Sequence, residues 1–375
     1  MVISLWYLIY KMTEKERGYW VRVSAFFKIG PKRFSLLLRS FGSAEKVWKA
    51  ESGDLIKSGI GEKLVLEFDK FRKEFNSASY FLRMEKQGIR VITIEDKEYP
   101  ENLKKTDSAP FLLYIIGQIL PEDYLSLGVV GTRKITAYGR IVTENLASLL
   151  VNSGITIVSG LAYGVDSVAH SIALDNKGRT IGVWAGGLDS IMDGYRQNLV
   201  KRIIKEKKGA IVSEYPMGFN PQVSTFPQRN RIIAGLSLGV LVTEAAEDSG
   251  SLITAKYGQK LGRFVFAVPG PITSSMSAGT AKLLKDGAKL VYSAKDILDT
   301  LDIEHSAKCQ EARKILPDDK DEEVILKILE NEEKNIDQII KETKKDSAFV
   351  ASILTLMEIK GKIKNIGMGT YRINR

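Results

Sequence analysis

Between residues 226 and 255 the chain reads Phe226-Pro-Gln-Arg-Asn-Arg-Ile-Ile-Ala-Gly-Leu-Ser237, then Gly239-Val-Leu-Val-Thr-Glu244, then Ser249-Gly-Ser-Leu-Ile-Thr-Ala255. Arg229 and Arg231 are permanently charged, forked donors with Asn230 between them, set beside a glycine turn. The Ser249-Gly250-Ser251 turn opens a helical pattern, so its free backbone amides stand at the positive end of a helix. Forked cations and free amides of this kind hold phosphate oxygens. An isolated Arg-Asn-Arg would read as solvated surface; these neighbours turn the reading toward phosphate.

Side chains this far apart in sequence need a scaffold to bring them together. Leu127-Gly-Val-Val-Gly-Thr-Arg133 reads as an apolar strand ending in Arg133, and a helical pattern runs from Thr136 to Leu150. Thr156-Ile-Val-Ser-Gly160 is a second strand, whose loop Leu161-Ala-Tyr-Gly164 leads to Asp166 as an expected N-cap. Thr180-Ile-Gly-Val-Trp-Ala-Gly-Gly187 is a third. Short apolar strands alternating with helices predict a Rossmann-like α/β fold with a parallel sheet. Ligands of such sheets sit at the carboxyl ends of the strands. Arg133, with Gly131 and Thr132 beside it, Ser159, Gly160, the loop after Gly187, Arg229 and Ser249 to Ser251 are therefore expected on one rim.

These blocks resemble the DNA-processing protein A family, also called Smf. The resemblance is carried by Gly131-Thr-Arg133 with Tyr138-Gly139, Ser159-Gly-Leu-Ala-Tyr-Gly-Val-Asp166 with Ala169-His170, Ser213-Glu-Tyr-Pro216, Phe226 to Ser237, Ser249 to Ala255 and Val265-Phe-Ala-Val-Pro-Gly270. It spans roughly residues 16–375. The resemblance implies a non-enzymatic protein that binds single-stranded DNA and loads the RecA recombinase during natural transformation. It also implies a two-fold homodimer formed through the end of the core, over Arg263 to Leu301. Two departures are visible. The family's Tyr-Pro-x-x-Asn segment after the third strand is replaced by a longer Asp189 to Asn198 loop, in which Tyr195 and Arg196 substitute by position and Asn198 aligns with the family asparagine. Ser277-Ala-Gly-Thr-Ala281 lacks the family's asparagine before the last helix.

At 375 residues and 44% apolar content the chain can bury two or three cores. Its formal charge of +10 is uneven: residues 125–300 hold 20 basic and 13 acidic groups, whereas residues 318–375 hold 11 and 12. The excess lies on the α/β core, as a polyanion partner would require. One cysteine and two histidines exclude a disulfide framework and a Cys/His zinc site, and fit a reducing cytoplasm. No cofactor is expected. Met1 to Tyr10 is too short to span a bilayer and reads as a leader or first helix, so no membrane partner is expected.

The expected organisation is a helical N-terminal domain over residues 1–85, the Rossmann-like core over 86–303, a linker over 304–321 and a winged helix over 322–375. In the first, Lys28-Ile-Gly-Pro-Lys32 and Ser58-Gly-Ile-Gly-Glu-Lys63 each precede a helix, a pattern open to a helix-hairpin-helix module or a plain helical bundle. In the last, Glu323 to Glu330, Ile336 to Thr343 and Ala348 to Lys360 are amphipathic helices, followed by a hairpin over Lys362 to Ile373. Its net charge of −1 leaves duplex binding and protein interaction both open.

Three rival functions are weighed. A hydride-transfer enzyme needs Gly-x-Gly-x-x-Gly after the first strand, where this chain has Gly131-Thr-Arg133. A nucleotide enzyme of the lysine-decarboxylase-like phosphoribohydrolase group needs Pro-Gly-Gly-x-Gly-Thr, where this chain has Ser249-Gly-Ser251; Glu244 reads as a strand-end acceptor. A nucleotide-sensing winged-helix regulator would use the same rim. Asp166, His170 and Ser159 could be drawn as a triad, but an N-cap and a packed histidine account for the first two more simply. The reading is of phosphates held by Arg133, Ser159, Gly160, Arg229 and Arg231, with Tyr163, Tyr195 and Phe226 stacking on bases.

Overall fold

The computed structural model describes residues 12–191, 194–301, 320–329, 332–359, 362–367 and 369–373. The Met1–Tyr10 segment and residues 304–319 of the expected linker lie outside them. The chain forms two compact units, Met1–Glu304 and His305–Arg375.

In the first unit, strands β1 (Arg90–Thr93), β2 (Leu112–Gly117), β3 (Ser126–Val130), β4 (Thr156–Ser159), β5 (Thr180–Val183), β6 (Gly209–Ser213), β7 (Gly239–Val242), β8 (Phe264–Ala267) and β9 (Lys289–Leu290) make one sheet. Their order is β1-β2-β6-β5-β4-β3-β7-β8-β9. From β6 to β9 every pairing is parallel; β1 and β2 add an antiparallel margin. All residues of β3, β4, β5, β6 and β7 are buried, as strands covered on both faces must be. The connections of β3 and β7 leave in opposite directions, so the topological switch lies between these neighbours. That is where a sheet of this kind opens a crevice.

Six short helices from Glu14–Ala25 to Ser77–Lys86 precede the sheet. They are tied to it by aromatic packing: Phe34 stacks on Phe111 at 3.9 Å and 19°, and Trp20 meets Phe34 edge-on at 4.7 Å. Gly30 and Gly61 are the N-caps of the helices Pro31–Phe41 and Glu62–Glu74, so both glycine segments open helices. Arg33 donates to Lys28 O and Lys28 pairs with Glu67, so these two cations are engaged within the module.

The second unit packs helices Lys320–Ile328, Ile336–Thr343 and Ser347–Ile359 beside a three-stranded sheet built from Lys334–Asn335, Ile363–Gly367 and Thr370–Ile373. Ile325, Ile339, Leu354, Met357 and Tyr371 share its core. This is a winged helix. The helix Ser347–Ile359 carries Glu358 as its one charged residue, while Phe349 and Leu356 are exposed on it.

Candidate nucleic-acid interface

A cavity of about 660 Å³ opens at the β3/β7 switch point. Its walls come from the loop after β3, the helix Thr225–Leu236, and the turn that starts the helix Ser251–Lys260. The Arg133 loop is fixed from below. Thr132 N donates to Glu244 O at 2.7 Å, and the Glu244 carboxylate accepts from Thr136 N (2.9 Å) and Thr136 Oγ1 (2.6 Å). Glu244 is thus the strand-end acceptor expected from sequence, buried and fully occupied in holding this loop. Arg133 itself is exposed, with its guanidinium 5.5 Å over the Phe226 ring.

Under the rim lies a buried polar group of three. Arg229 is 3% exposed; its Nη1 donates to Val183 O at 2.7 Å, and its Nε finds no partner among the described residues. Burial lowers its guanidinium to about 10, with Asp166 opposing and Arg133 and Arg196 adding to the fall. Burial raises the Asp166 carboxyl and Arg229 pulls it back. Asp166 Oδ2 accepts from Gly160 N at 3.0 Å and from Ala162 N at 3.4 Å. It therefore shapes the turn ahead of the helix Val165–Asp175 from inside that helix, whose N-cap is Gly164; the N-cap expectation for Asp166 is corrected.

His170 Nδ1 lies 2.6 Å from Thr180 Oγ1, which donates onward to Ile157 O at 2.9 Å. The network thus assigns the neutral tautomer with the proton on Nδ1. Burial, with the Arg229 charge adding, lowers its imidazole to about 3. The unfolded chain, with an ordinary imidazole, takes up a proton below about pH 6.5 that the native state refuses. Stability therefore falls as pH drops from about 6.5 toward 3, by about 3–5 kcal/mol at the acid end. Asp166, with a raised folded value, works in the opposite sense as pH rises. Urea titrations between pH 5 and 7 check the first effect: an unchanged slope of stability against pH in His170→Gln would refute it.

Several residues expected on the rim sit elsewhere. Ser159 is fully buried, its hydroxyl donates to Val129 O at 2.6 Å, and it does not line the cavity. Gly160 gives its amide to Asp166 and packs so closely that a Cβ would stand 2.0 Å from Arg229 Nη1. Arg231 points away from the cavity, paired with Glu214 and with Ser108 O. The amides of Leu252 and Ile253 return to Ser249 O and Gly250 O at 3.1 and 3.3 Å, and Ser251 N reaches Ser249 Oγ at 3.4 Å. The amides of Ser251, Leu252 and Ile253 are thus engaged within the turn itself. Asn230 lines the cavity and donates to Gly250 O at 3.4 Å. Asn198 is exposed on the helix Gly194–Lys205, Tyr195 belongs to the same helix with its side chain outside the described residues, and Tyr163 is 53% exposed. The Phe226 to Ser237 block forms a helix, with Pro227 in its first turn, where sequence reading set a glycine turn. Trp184 was missed: at the end of an apolar run it reads as core, yet its ring lies 5.4 Å from the Arg196 guanidinium.

Fold and cleft together define a Rossmann-like α/β protein with an appended winged helix. Residues 90–302 match the family model described as DNA recombination-mediator protein A, and residues 310–366 match the DprA winged helix domain. The chain belongs to the DNA recombination-mediator protein A family. It is 36% identical over 314 residues to Protein Smf of Synechocystis sp., a match covering 82% of this chain and 78% of that relative. It is 44% identical over 216 residues to DNA processing protein DprA of Bacillus subtilis, covering 57% and 72%. The X-ray structure of DNA processing protein A from Streptococcus pneumoniae is similar with TM-score 0.62 at 33% identity, over 77% of this chain and 98% of that one. A structure concerned with the single-stranded DNA binding mode of DNA processing protein A from Helicobacter pylori is similar with TM-score 0.50 at 30% identity, over 58% and 97%.

Proposed function

We propose that this chain is a cytoplasmic, non-enzymatic protein that binds single-stranded DNA in the β3/β7 cleft and hands it to a RecA-type recombinase during uptake of foreign DNA. One observation carries the reading: Arg133, Lys134 and Arg229 line one cavity against Asp166 and Asp248, and the charges of Arg133 and Arg196 both bear on Arg229. A cluster with that excess calls for a polyanion. The kinship to the Helicobacter pylori protein, whose structure concerns single-stranded DNA, supports the choice of strand. A hydrolytic triad is opposed by the geometry, since the Ser159 hydroxyl faces Val129 O and His170 Nδ1 faces Thr180. The helix Ser347–Ile359, where a winged helix reads a groove, offers no cation to duplex phosphates.

Titration of a labelled dT oligonucleotide tests this reading. The logarithm of affinity is expected to fall with that of salt at about −0.7 per phosphate contact, with much weaker binding of matched duplex. A slope near zero, or equal affinity for duplex, contradicts it. Delivery is tested separately: faster growth of recombinase filaments on strands coated by a single-strand-binding protein is expected, and no acceleration removes that role.

We further infer that the end of the core pairs with a second copy. Ile272, Leu290 and Tyr292 are 102%, 53% and 88% exposed there, a costly apolar display for a solitary chain. Light scattering across a concentration series is expected to give twice the chain mass, and a monomer at tens of micromolar would refute the pairing.

A further inference from the structure

A ladder of rings and guanidinium groups runs outward from the cleft, which its members Arg133 and Phe226 line. The Arg196 guanidinium lies 5.1 Å from the Tyr163 ring and 5.4 Å from the Trp184 ring. Trp184 meets Phe226 edge-on at 6.5 Å and 89°, and Arg133 stands 5.5 Å over Phe226. The order is therefore Tyr163, Arg196, Trp184, Phe226, Arg133. Five separate segments of the chain contribute one member each.

The inner members are anchored. Trp184 is 3% exposed, and its Nε1 donates to Ser190 Oγ at 3.0 Å. Arg196 Nε donates to Leu161 O at 3.0 Å. Leu161 is held at φ 56°, a conformation uncommon for a residue with a side chain, and it begins the turn that presents Tyr163. Arg196 thus ties that turn and sits against the Tyr163 ring at the same time. Tyr163 is 53% exposed, and a ring backed by a fixed cation loses little freedom when a base packs against it.

We infer that Tyr163 is a stacking platform for an unpaired nucleobase, held in place by Arg196 and Trp184, and that this platform selects single strands over duplex. The inference rests on the reading that the cleft holds single-stranded DNA. Phosphates are common to both strand forms and carry no such distinction. An exposed base face exists only where bases are unpaired, and stacking on an aromatic ring accepts any base.

The test compares wild type, Tyr163→Ala and Tyr163→Phe for binding to labelled oligo-dT, to an abasic oligonucleotide of equal length, and to a matched duplex. Tyr163→Ala is expected to weaken dT binding about tenfold and to leave abasic binding within about twofold. Tyr163→Phe keeps the ring and is expected to bind dT like wild type. The single-strand preference over duplex should fall by the same factor in Tyr163→Ala. Equal losses on dT and abasic strands would place Tyr163 against the backbone and overturn the inference, as would unchanged dT binding. Wild type that binds dT and abasic strands equally well overturns it too, while leaving the single-strand reading intact. Wild type that binds neither strand removes that reading and this inference together.

Discussion

Arg229→Ala is expected to cost about 3–5 kcal/mol of folding stability, because it leaves the buried Asp166 carboxylate without its compensating charge. The same change removes the donor to Val183 O and opens a void against Gly160. Arg229→Lys should recover only part of the loss, since an ammonium group cannot reproduce a planar fork wedged against a glycine Cα. Urea denaturation of the full chain measures this directly. A loss below about 1 kcal/mol, accompanied by weaker dT binding in a folded protein, would make Arg229 a surface phosphate ligand and overturn the buried assignment.

Gly164→Ala is expected to be nearly as damaging, and for a separate reason. Gly164 has φ 76° and ψ −127°, and a Cβ there would stand 2.2 Å from Thr132 O and 2.8 Å from the carbonyl carbon of Arg133. The backbone of the Arg133 loop must then move, which strains the Val165 N to Thr132 O bond of 3.2 Å. A destabilisation of about 2–4 kcal/mol follows from the forbidden backbone and the clash together. The dT affinity of the folded fraction should also fall, because the Arg133 loop and the Tyr163 turn are displaced at once. Gly250→Ala is the control: with φ −60° and nothing within 4 Å of its would-be Cβ, it should shift stability by less than about 1 kcal/mol. If both substitutions melt at the wild-type temperature, the close approach at Gly164 is wrong.

The sheet was legible because buried parallel strands leave unbroken apolar runs, as in Leu127–Val130 and Gly239–Val242. The winged helix was legible from three helical periods followed by a hairpin. The direction in which each charged side chain points was not. Arg229, Ile232, Ile233 and Leu236 recur at helical spacing and are all buried, and Pro227 marks a first turn; that period placed Arg229 inside and was available in the sequence. Arg231 turns to Glu214, a partner 17 residues away in the loop after β6, which no local pattern reveals. The Asp166 bonds to Gly160 N and Ala162 N likewise reverse the usual N-cap geometry, so residue type alone misassigned its place. Trp184 escaped because burial and proximity to a cleft are indistinguishable in a run of apolar residues.

The two margins of the sheet bear on how copies of the chain can meet when crowded. β9 is two residues long, and β1 is four residues long and begins with Arg90, whose guanidinium is held by Glu98 and Gly117 O. A margin that brief, or that charged, offers too few main-chain groups to template another strand. Molecules brought side by side would therefore touch through side chains, and a nine-stranded sheet avoids growing into a continuous ribbon.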